Sequence, residues 1–256
     1  MTSHKIALLI PCTSKERDTW NTMKDTYLND LSVKHFLLTQ DKEHEYVFYI
    51  GYDSDDRIFA DVTQQDVLKR YSLVFKNVSF VFIKFENIAK GHVTKMWNVL
   101  FKQSYEDGCD YFYQCGDDIV FHTKGWVNDC ILKLKANKNI GLTGPINNNN
   151  LILTQAFVSR EHMEIFGWFF PEEIINWGCD DWYNHLYSPT MFFPLKNHYC
   201  TNDGGKPRYI INNDPSYVLN MTYNTKLIRT NARNLALKHK TLIENHLKNK
   251  TYVFVN

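Results

Sequence analysis

The sequence predicts an α/β chain in which a mostly parallel sheet is flanked by helices. Short runs rich in β-branched and aromatic residues, such as Lys5–Ile10, Glu45–Ile50 and Val78–Phe85, have the composition of buried strands. Segments with apolar residues at helical spacing separate these runs, and that alternation is the signature of βαβ units. The runs also stop in polar, turn-prone loops, and open sheets bind ligands at such strand ends. No internal repeat, low-complexity tract or linker divides the 256 residues. A single domain over 1–256 is expected, with a first half of about 1–120, a second of about 121–220 and a helical tail over 221–256.

The first strand, Lys5–Ile10, runs into Pro11-Cys12-Thr13-Ser14. Trp20, Met23, Tyr27 and Leu31 then recur at helical spacing, which predicts a helix over Arg17–His35 with Ser14 as its N-cap. In that loop Thr13, Ser14 and Arg17 stand where a nucleotide or phosphate would lie, although ordinary capping also accounts for them. The second strand closes on Gly51-Tyr-Asp-Ser-Asp-Asp56, where Asp53 is placed to bond a ribose or base; a solvated loop is the plainer reading. A helix over Val62–Tyr71 and the strand Val78–Phe85 follow. Gly91 then opens a helix on which Lys95 and Asn98 fall on nearby turns, both able to face a cleft unless Lys95 is merely solvated.

Cys109–Phe121 is the most informative stretch. The aromatic run Tyr111–Tyr113 stops at Gly116-Asp117-Asp118 before Ile119–Phe121 resumes. Two adjacent carboxylates at the end of a buried strand repel each other and are costly to desolvate unless a cation is near. A hard divalent ion that also holds phosphate oxygens answers that need, whereas a solvated turn is the alternative. Beyond it, Gly125–Lys135 reads as a helix with Trp126, Val127, Ile131 and Leu134 inward. Ile140–Ile146 reads as a short strand, Asn147–Asn150 as an exposed turn, Leu151–Val158 as extended chain, and Ser159 as the cap of a helix.

Phe166–Tyr187 packs aromatic residues around a second acidic pair, Asp180 and Asp181. Aromatic faces stack on sugar rings while carboxylates bond hydroxyls, and a carboxylate there can take the proton of an attacking hydroxyl. An acidic first helical turn, favoured by the helix dipole alone, would look the same. The loop Asn202–Lys206 is a candidate lid. The basic stretch Asn224–Lys250 is compatible with a helix that packs on the body, or that meets another chain or an anionic surface.

Composition narrows the function. A hydrophobic content of 44% and an aromatic content of 15% describe an ordered globular protein. A net charge of +1 argues against a dedicated nucleic-acid partner. Six cysteines without a C-x-x-C pair suggest neither a zinc site nor a disulfide framework. No run is long and apolar enough for a transmembrane segment, and Ile6–Ile10 is too short for a signal-peptide core, so a cytoplasmic location is expected.

In their order and spacing these features resemble the GT-A glycosyltransferases. The chain has strand-Pro-x-Thr, an acidic second strand end, Gly-Asp-Asp, then Trp177-Gly178-Cys179-Asp180-Asp181. The resemblance spans roughly residues 5 to 200 and implies a GT-A-like, Rossmann-type mixed sheet carrying a nucleotide-sugar, a UDP-sugar in the first instance. It implies that Pro11, Thr13 and Asp53 contact the nucleotide and that Gly116-Asp117-Asp118 stands in for the D-x-D motif holding Mn²⁺ or Mg²⁺. It also makes 1–120 the donor-binding half and 121–220 the half binding a carbohydrate or glycan acceptor. The last two residues of Trp-Gly-x-Asp-Asp would then supply an inverting base, Asp181, and an acceptor-binding carboxylate, Asp180.

The motif departs from the family at Gly116, which leaves metal binding to Asp118 with Asp117 and a histidine, His198 first and His185 second. Lys95 or Arg17 would join the metal in neutralising the departing diphosphate. Rival readings are a nucleotidyltransferase that makes nucleotide-sugars, a glycoside hydrolase and a non-catalytic sugar- or nucleotide-binding module. The first lacks its glycine-rich loop here, since Pro11–Ser14 contains no glycine.

Overall fold

The structure is a computed structural model that describes residues 2–149, 151–205 and 221–253, the side chains of 221–225 and 251–253 excepted. Eight strands form one sheet: β1 (Lys5–Cys12), β2 (Glu45–Asp53), β3 (Val78–Phe85), β4 (Tyr111–Gln114), β5 (Ile119–Phe121), β6 (Leu142–Ile146), β7 (Ala156–Ser159) and β8 (Phe192–Asn202). Their spatial order is β3-β2-β1-β4-β7-β6-β8-β5. The pairs β1–β2, β2–β3, β1–β4 and β6–β8 are parallel, whereas β4–β7, β6–β7 and β5–β8 are antiparallel. The mixed, mostly parallel sheet flanked by helices is therefore as expected.

The unbroken apolar run of β1 follows from its place between β2 and β4, with both faces covered. Alternate residues serve two cores. Ile6, Leu8 and Ile10 join Phe36, Phe48 and Trp126 on one face. Ala7 and Leu9 join Trp97, Leu100 and Phe101 on the other. Most of the second core hangs on α4 (Val93–Glu106), whose buried face carries Met96, Trp97, Leu100 and Phe101. The indole Nε1 of Trp97 donates to Leu9 O at 3.1 Å, so even this ring is fixed to the central strand.

The segment after β1 differs from expectation. No helix starts near Arg17; a turn of 3₁₀ helix covers Met23–Asp25, a π-helical turn covers Leu28–Val33, and α1 spans Lys34–Thr39. Ser14 caps nothing, because its hydroxyl and its N–H are both bonded to Asp56. The next helices are α2 (Val62–Lys69) and α3 (Tyr71–Val74), a break one residue short of the expected Val62–Tyr71 helix. The helix α5 (Trp126–Ala136) buries Trp126, Val127, Ile131 and Leu134 as its spacing requires. Its cap comes from a distant residue: Gly125 has no side chain, and the Asp41 carboxylate accepts from Gly125 N at 3.1 Å and Asn128 N at 2.9 Å.

In the second half, α6 spans Glu161–Phe166 with Arg160, not the expected Ser159, at its N-cap position; Ser159, one residue earlier, still accepts from Glu161 N at 3.1 Å. The helix α7 covers Cys179–Tyr187 and α8 covers Met221–Val253. The body-packing expectation for the tail holds. Ala232, Ala236 and Ile243 are buried, and Trp182 Nε1 donates to His239 Nδ1 at 3.2 Å. The asparagine run is not a freely exposed turn. Asn147 is buried and its amide donates to Thr154 Oγ1 and Gln155 Oε1, both at 3.0 Å. Asn150 lies outside the described residues.

The strand β2 continues beyond the expected end at Ile50 because its ladder with β3 runs on to Asp53, and Gly51 lies under the Phe85 ring. A Cβ there would stand 2.0 Å from Phe85 Cζ. Gly51→Ala is expected to cost about 1–3 kcal/mol through overpacking, read from the urea unfolding midpoint. Adding Phe85→Leu should recover part of that loss; no recovery would place the strain elsewhere.

Candidate functional site

The carboxyl ends of β1, β2 and β4 lie side by side, as the parallel registers require. Pro11 pairs with Gly51, and Leu9 pairs with both Tyr49 and Gln114. Beyond β1 the chain is fastened to the loop after β2 by one buried carboxylate. Asp56 accepts from Ser14 N at 2.6 Å, Ser14 Oγ at 2.9 Å, Thr13 Oγ1 at 3.2 Å, Ile58 N at 3.0 Å and Phe59 N at 2.9 Å. The Thr13 hydroxyl, assigned from sequence to a ligand, thus helps to shape the loop. Asp53, the last residue of β2, is buried beside this clasp. Only the turn chemistry of Asp53–Asp56 hinted at Asp56.

Gly116-Asp117-Asp118 forms the turn between β4 and β5. Asp117 is fully buried and Asp118 partly so. The Asp118 carboxylate lies between two glycines. A Cβ on Gly116 would stand 2.5 Å from its Oδ1, and one on Gly204 would stand 2.0 Å from its Oδ2. A side chain at Gly116 would thus require the Asp118 carboxylate to turn aside. Asp203 N donates to Asp118 O at 3.0 Å, and Arg17 Nη2 donates to Gly204 O at 3.3 Å. The Arg17 guanidinium also lies over the rings of Trp20 and Tyr27. Arg17 and Asp118 thus converge on Gly204, within the loop singled out as a lid; Lys206 lies outside the described residues.

The histidines assigned to a metal are elsewhere. In the antiparallel register of β5 and β8, Ile119 pairs with Asn202 and Phe121 with Cys200. Asp118 therefore lies at the Asp203 end of this ladder and His198 several residues away at the other. Five residues of strand span roughly 16 Å. His198 is engaged by Thr123 Oγ1 at 3.1 Å and Asp129 Oδ2 at 2.9 Å. His185 lies in the seam between α7 and α8, where burial lowers its pKa and Asp181 raises it. The remaining donors, Asp117 and Asp118, are hard oxygens that suit Mg²⁺ or Mn²⁺ bound largely through phosphate and water rather than by a protein cage. Among the described residues, one group of three has side chains close enough to share a metal, Glu161, Glu164 and His246, and Lys250 Nζ already sits 2.5 Å from Glu161 Oε1.

The second acid pair occupies the first turn of α7 after Gly178, whose φ of 90° is left-handed. The two carboxylates face different neighbours. Tyr183 Oη lies 3.1 Å from Asp180 Oδ1 and 3.1 Å from Leu153 O, while Asn184 Nδ2 donates to Leu153 O at 2.8 Å. Since β7 runs antiparallel to β4 with Ala156 opposite Gln114, Leu153 comes in at the carboxyl end of β4. Asp180 is thereby tied to the sheet end that carries Asp117 and Asp118. Burial pushes its pKa up to about 7. Asp181 turns toward α8, where Arg229 Nε approaches its Oδ1 at 3.4 Å; burial raises its pKa and the Arg229 charge opposes the rise.

The two α4 residues assigned to the cleft have other partners. Asn98 Oδ1 accepts from Phe169 N at 3.0 Å and Phe170 N at 2.8 Å, and its Nδ2 donates to Phe170 O at 2.8 Å. That leaves its amide committed to the approach to α7. Half-exposed Lys95 pairs with Glu172 at 3.4 Å. Thr94 N donates to Ile175 O at 3.2 Å, and Thr94 Oγ1 bonds Ile174 O. The start of α4 thus holds the loop that presents the second acid pair.

No known family model matches the chain, and no curated protein does. Solved structures are similar in fold. S. aureus TarS 1–349 in complex with UDP-GlcNAc shares 16% identity over 88% of this chain and 70% of that one, with a TM-score of 0.53. The complex of the same protein with UDP matches at 16% identity and a TM-score of 0.50, over 77% of this chain and 60% of the TarS chain. This chain therefore spans well under the whole of the structures it resembles. Within the described residues no helix is long and apolar enough to cross a membrane.

Replacing Asp56 with alanine strands several buried donors at once. It is expected to destabilise the fold by about 2 kcal/mol or more in chemical denaturation, whereas Asp18→Ala at an exposed position should be silent. Equal midpoints for both variants would remove the clasp.

Proposed function

We propose that this chain is a glycosyltransferase that moves a sugar from a nucleotide-sugar, of the UDP class, to a hydroxyl of a carbohydrate acceptor. The observation that carries this reading is that Asp180 of the second acid pair is tied to the end of the parallel strands that bears the first, Asp117 and Asp118. The two pairs come from segments some sixty residues apart, and each is held by its own scaffold. Likeness of fold to a protein that binds UDP and UDP-GlcNAc agrees with it.

On this reading the donor diphosphate lies across Pro11–Ser14 and Gly116–Asp118, with Arg17 supplying positive charge beside it. Asp118, with Asp117, would hold Mn²⁺ or Mg²⁺, which when bound would neutralise charge on the leaving diphosphate. The acceptor approaches from α7. We assign the proton to Asp180, reversing the roles that the motif alone implied. Its Oδ1 is held by Tyr183 and Cys179, its pKa near 7 suits a general base at neutral pH, and it points to the sheet end. Asp181, ion-paired to Arg229, orients the acceptor. As the acceptor oxygen attacks the anomeric carbon, its proton passes to Asp180, the bond from that carbon to the diphosphate breaks, and the configuration inverts. General-base help of this kind is worth about 10²–10⁴-fold.

Thermal shift with UDP and UDP-GlcNAc, with and without Mn²⁺, tests the donor half. Stabilisation by UDP that deepens with metal, and loses its metal-dependent part in Asp118→Ala, is expected. No shift under any condition would end the donor reading.

The base has its own pH signature. The pKa of Asp180 is raised on folding from an ordinary 3.8 to about 7, so the folded state stays protonated where the unfolded chain has ionised. The resulting cost is small at pH 4, grows between these two values and is complete above pH 7. The gain in Tm of Asp180→Asn over the parent should therefore be small at pH 4 and much larger at pH 8, while most transfer is lost. A variant that kept transfer would displace Asp180 as the base.

A further inference from the structure

A groove of about 560 Å³ lies between the loop 173–177 and α8, within the ~300–1,000 Å³ range of small-molecule sites. Trp177 lines it and is 48% exposed, an unusual state for the largest apolar side chain. Ile174 and Ile228 form apolar floor beside the indole. Asn231 and Asn234, three residues apart on one face of α8, bring two exposed amides along its wall. Among the described residues neither amide has a hydrogen-bond partner. Ile175, Leu227, Ala232 and Leu235 add to the apolar lining, and Glu173 and Lys238, of opposite charge, complete it.

The groove adjoins the second acid pair. Ile228 packs so closely on Gly178 that a Cβ there would stand 2.7 Å from Ile228 Cγ2, and the next residue, Arg229, holds Asp181. A molecule lying on Trp177 would therefore extend toward the turn that presents Asp180 and Asp181.

We propose that this groove is the acceptor subsite and that its occupant is an uncharged saccharide. The lining favours that chemistry. An aromatic plane offers a face for a sugar ring, and amides that both donate and accept match hydroxyls. A polyanion would need one sign of charge, and a lipid an apolar lining without the two amides and the two charges that interrupt this one; the apolar residues between them suit the less polar face of a sugar ring. This inference rests on the transferase reading, and it gives α8 a part in choosing the acceptor.

The test follows the indole N–H signals of the six tryptophans by NMR, with Trp177 identified by its loss in Trp177→Ala. Methyl glycosides of glucose, galactose and N-acetylglucosamine, and their disaccharides, are titrated one at a time. One of these sugars should shift the Trp177 signal. Trp177→Ala should weaken its binding at least tenfold and Asn231→Ala severalfold, while Leu237→Ala, elsewhere on α8, leaves it unchanged. In turnover with a UDP-sugar, the same variants should raise KM for that saccharide and leave KM for the donor alone. If UDP stabilises the protein but no saccharide moves the Trp177 signal, or Trp177→Ala binds as tightly as the parent, the groove proposal falls and the transferase reading stands. If saccharides move the signal but no nucleotide binds, the transferase reading fails and the acceptor role is overturned with it.

Discussion

Charge that must leave water governs this molecule. Carboxylates are costly to bury, and three aspartates of this chain show different means of relief. Asp56 is surrounded by five donors drawn from two loops. Asp41 takes two backbone N–H groups at the start of α5. Asp180 is relieved differently, by a shift of its pKa toward neutrality, with Tyr183 and Cys179 against one oxygen. The first two are fully compensated and act as fasteners. The third is left with proton affinity near neutral pH, which is what a base needs. On the proposed function, local solvation is what separates the fastening aspartates from the base.

The parallel half of the fold was legible because buried strands and amphipathic helices leave unambiguous patterns. The bounds of β3 were read to the residue, and the inward face of α5 came from spacing alone. Legibility failed where a residue's partner is remote in sequence. Ser14 has the chemistry of a cap, yet its bonds run to Asp56, 42 positions away. Asn147 sits in a run of asparagines that reads as solvent-facing, but Thr154 and Gln155 give its amide a buried home. The strand β8 escaped because its mixed residues follow no simple alternation; it is fixed by pairing β6 on one side and β5 on the other.

The candidate site was legible as two acidic motifs, but not in its wiring. Spacing cannot reveal that His198 lies at the far end of a ladder from Asp118, because that depends on the register of a strand that sequence did not show. Nor can it reveal that Asn98 is spent on Phe169 and Phe170. That bond, with those of Thr94, makes α4 a bracket between the two halves of the chain. The second acid pair depends on it for position as much as on its own helix.

The junction at Gly204 ties the site to the order in which the chain is made. Arg17 reaches the carbonyl of a residue 187 positions later, and the Asp118 carboxylate is walled on one side by that same glycine. A ribosome therefore releases the central strands, and even the Gly-Asp-Asp turn, long before the glycine that flanks Asp118. During synthesis the early half can assemble its sheet, but its acidic turn stays open to water until the segment carrying Gly204 emerges. Completion of the site is thus a late event in the birth of the protein.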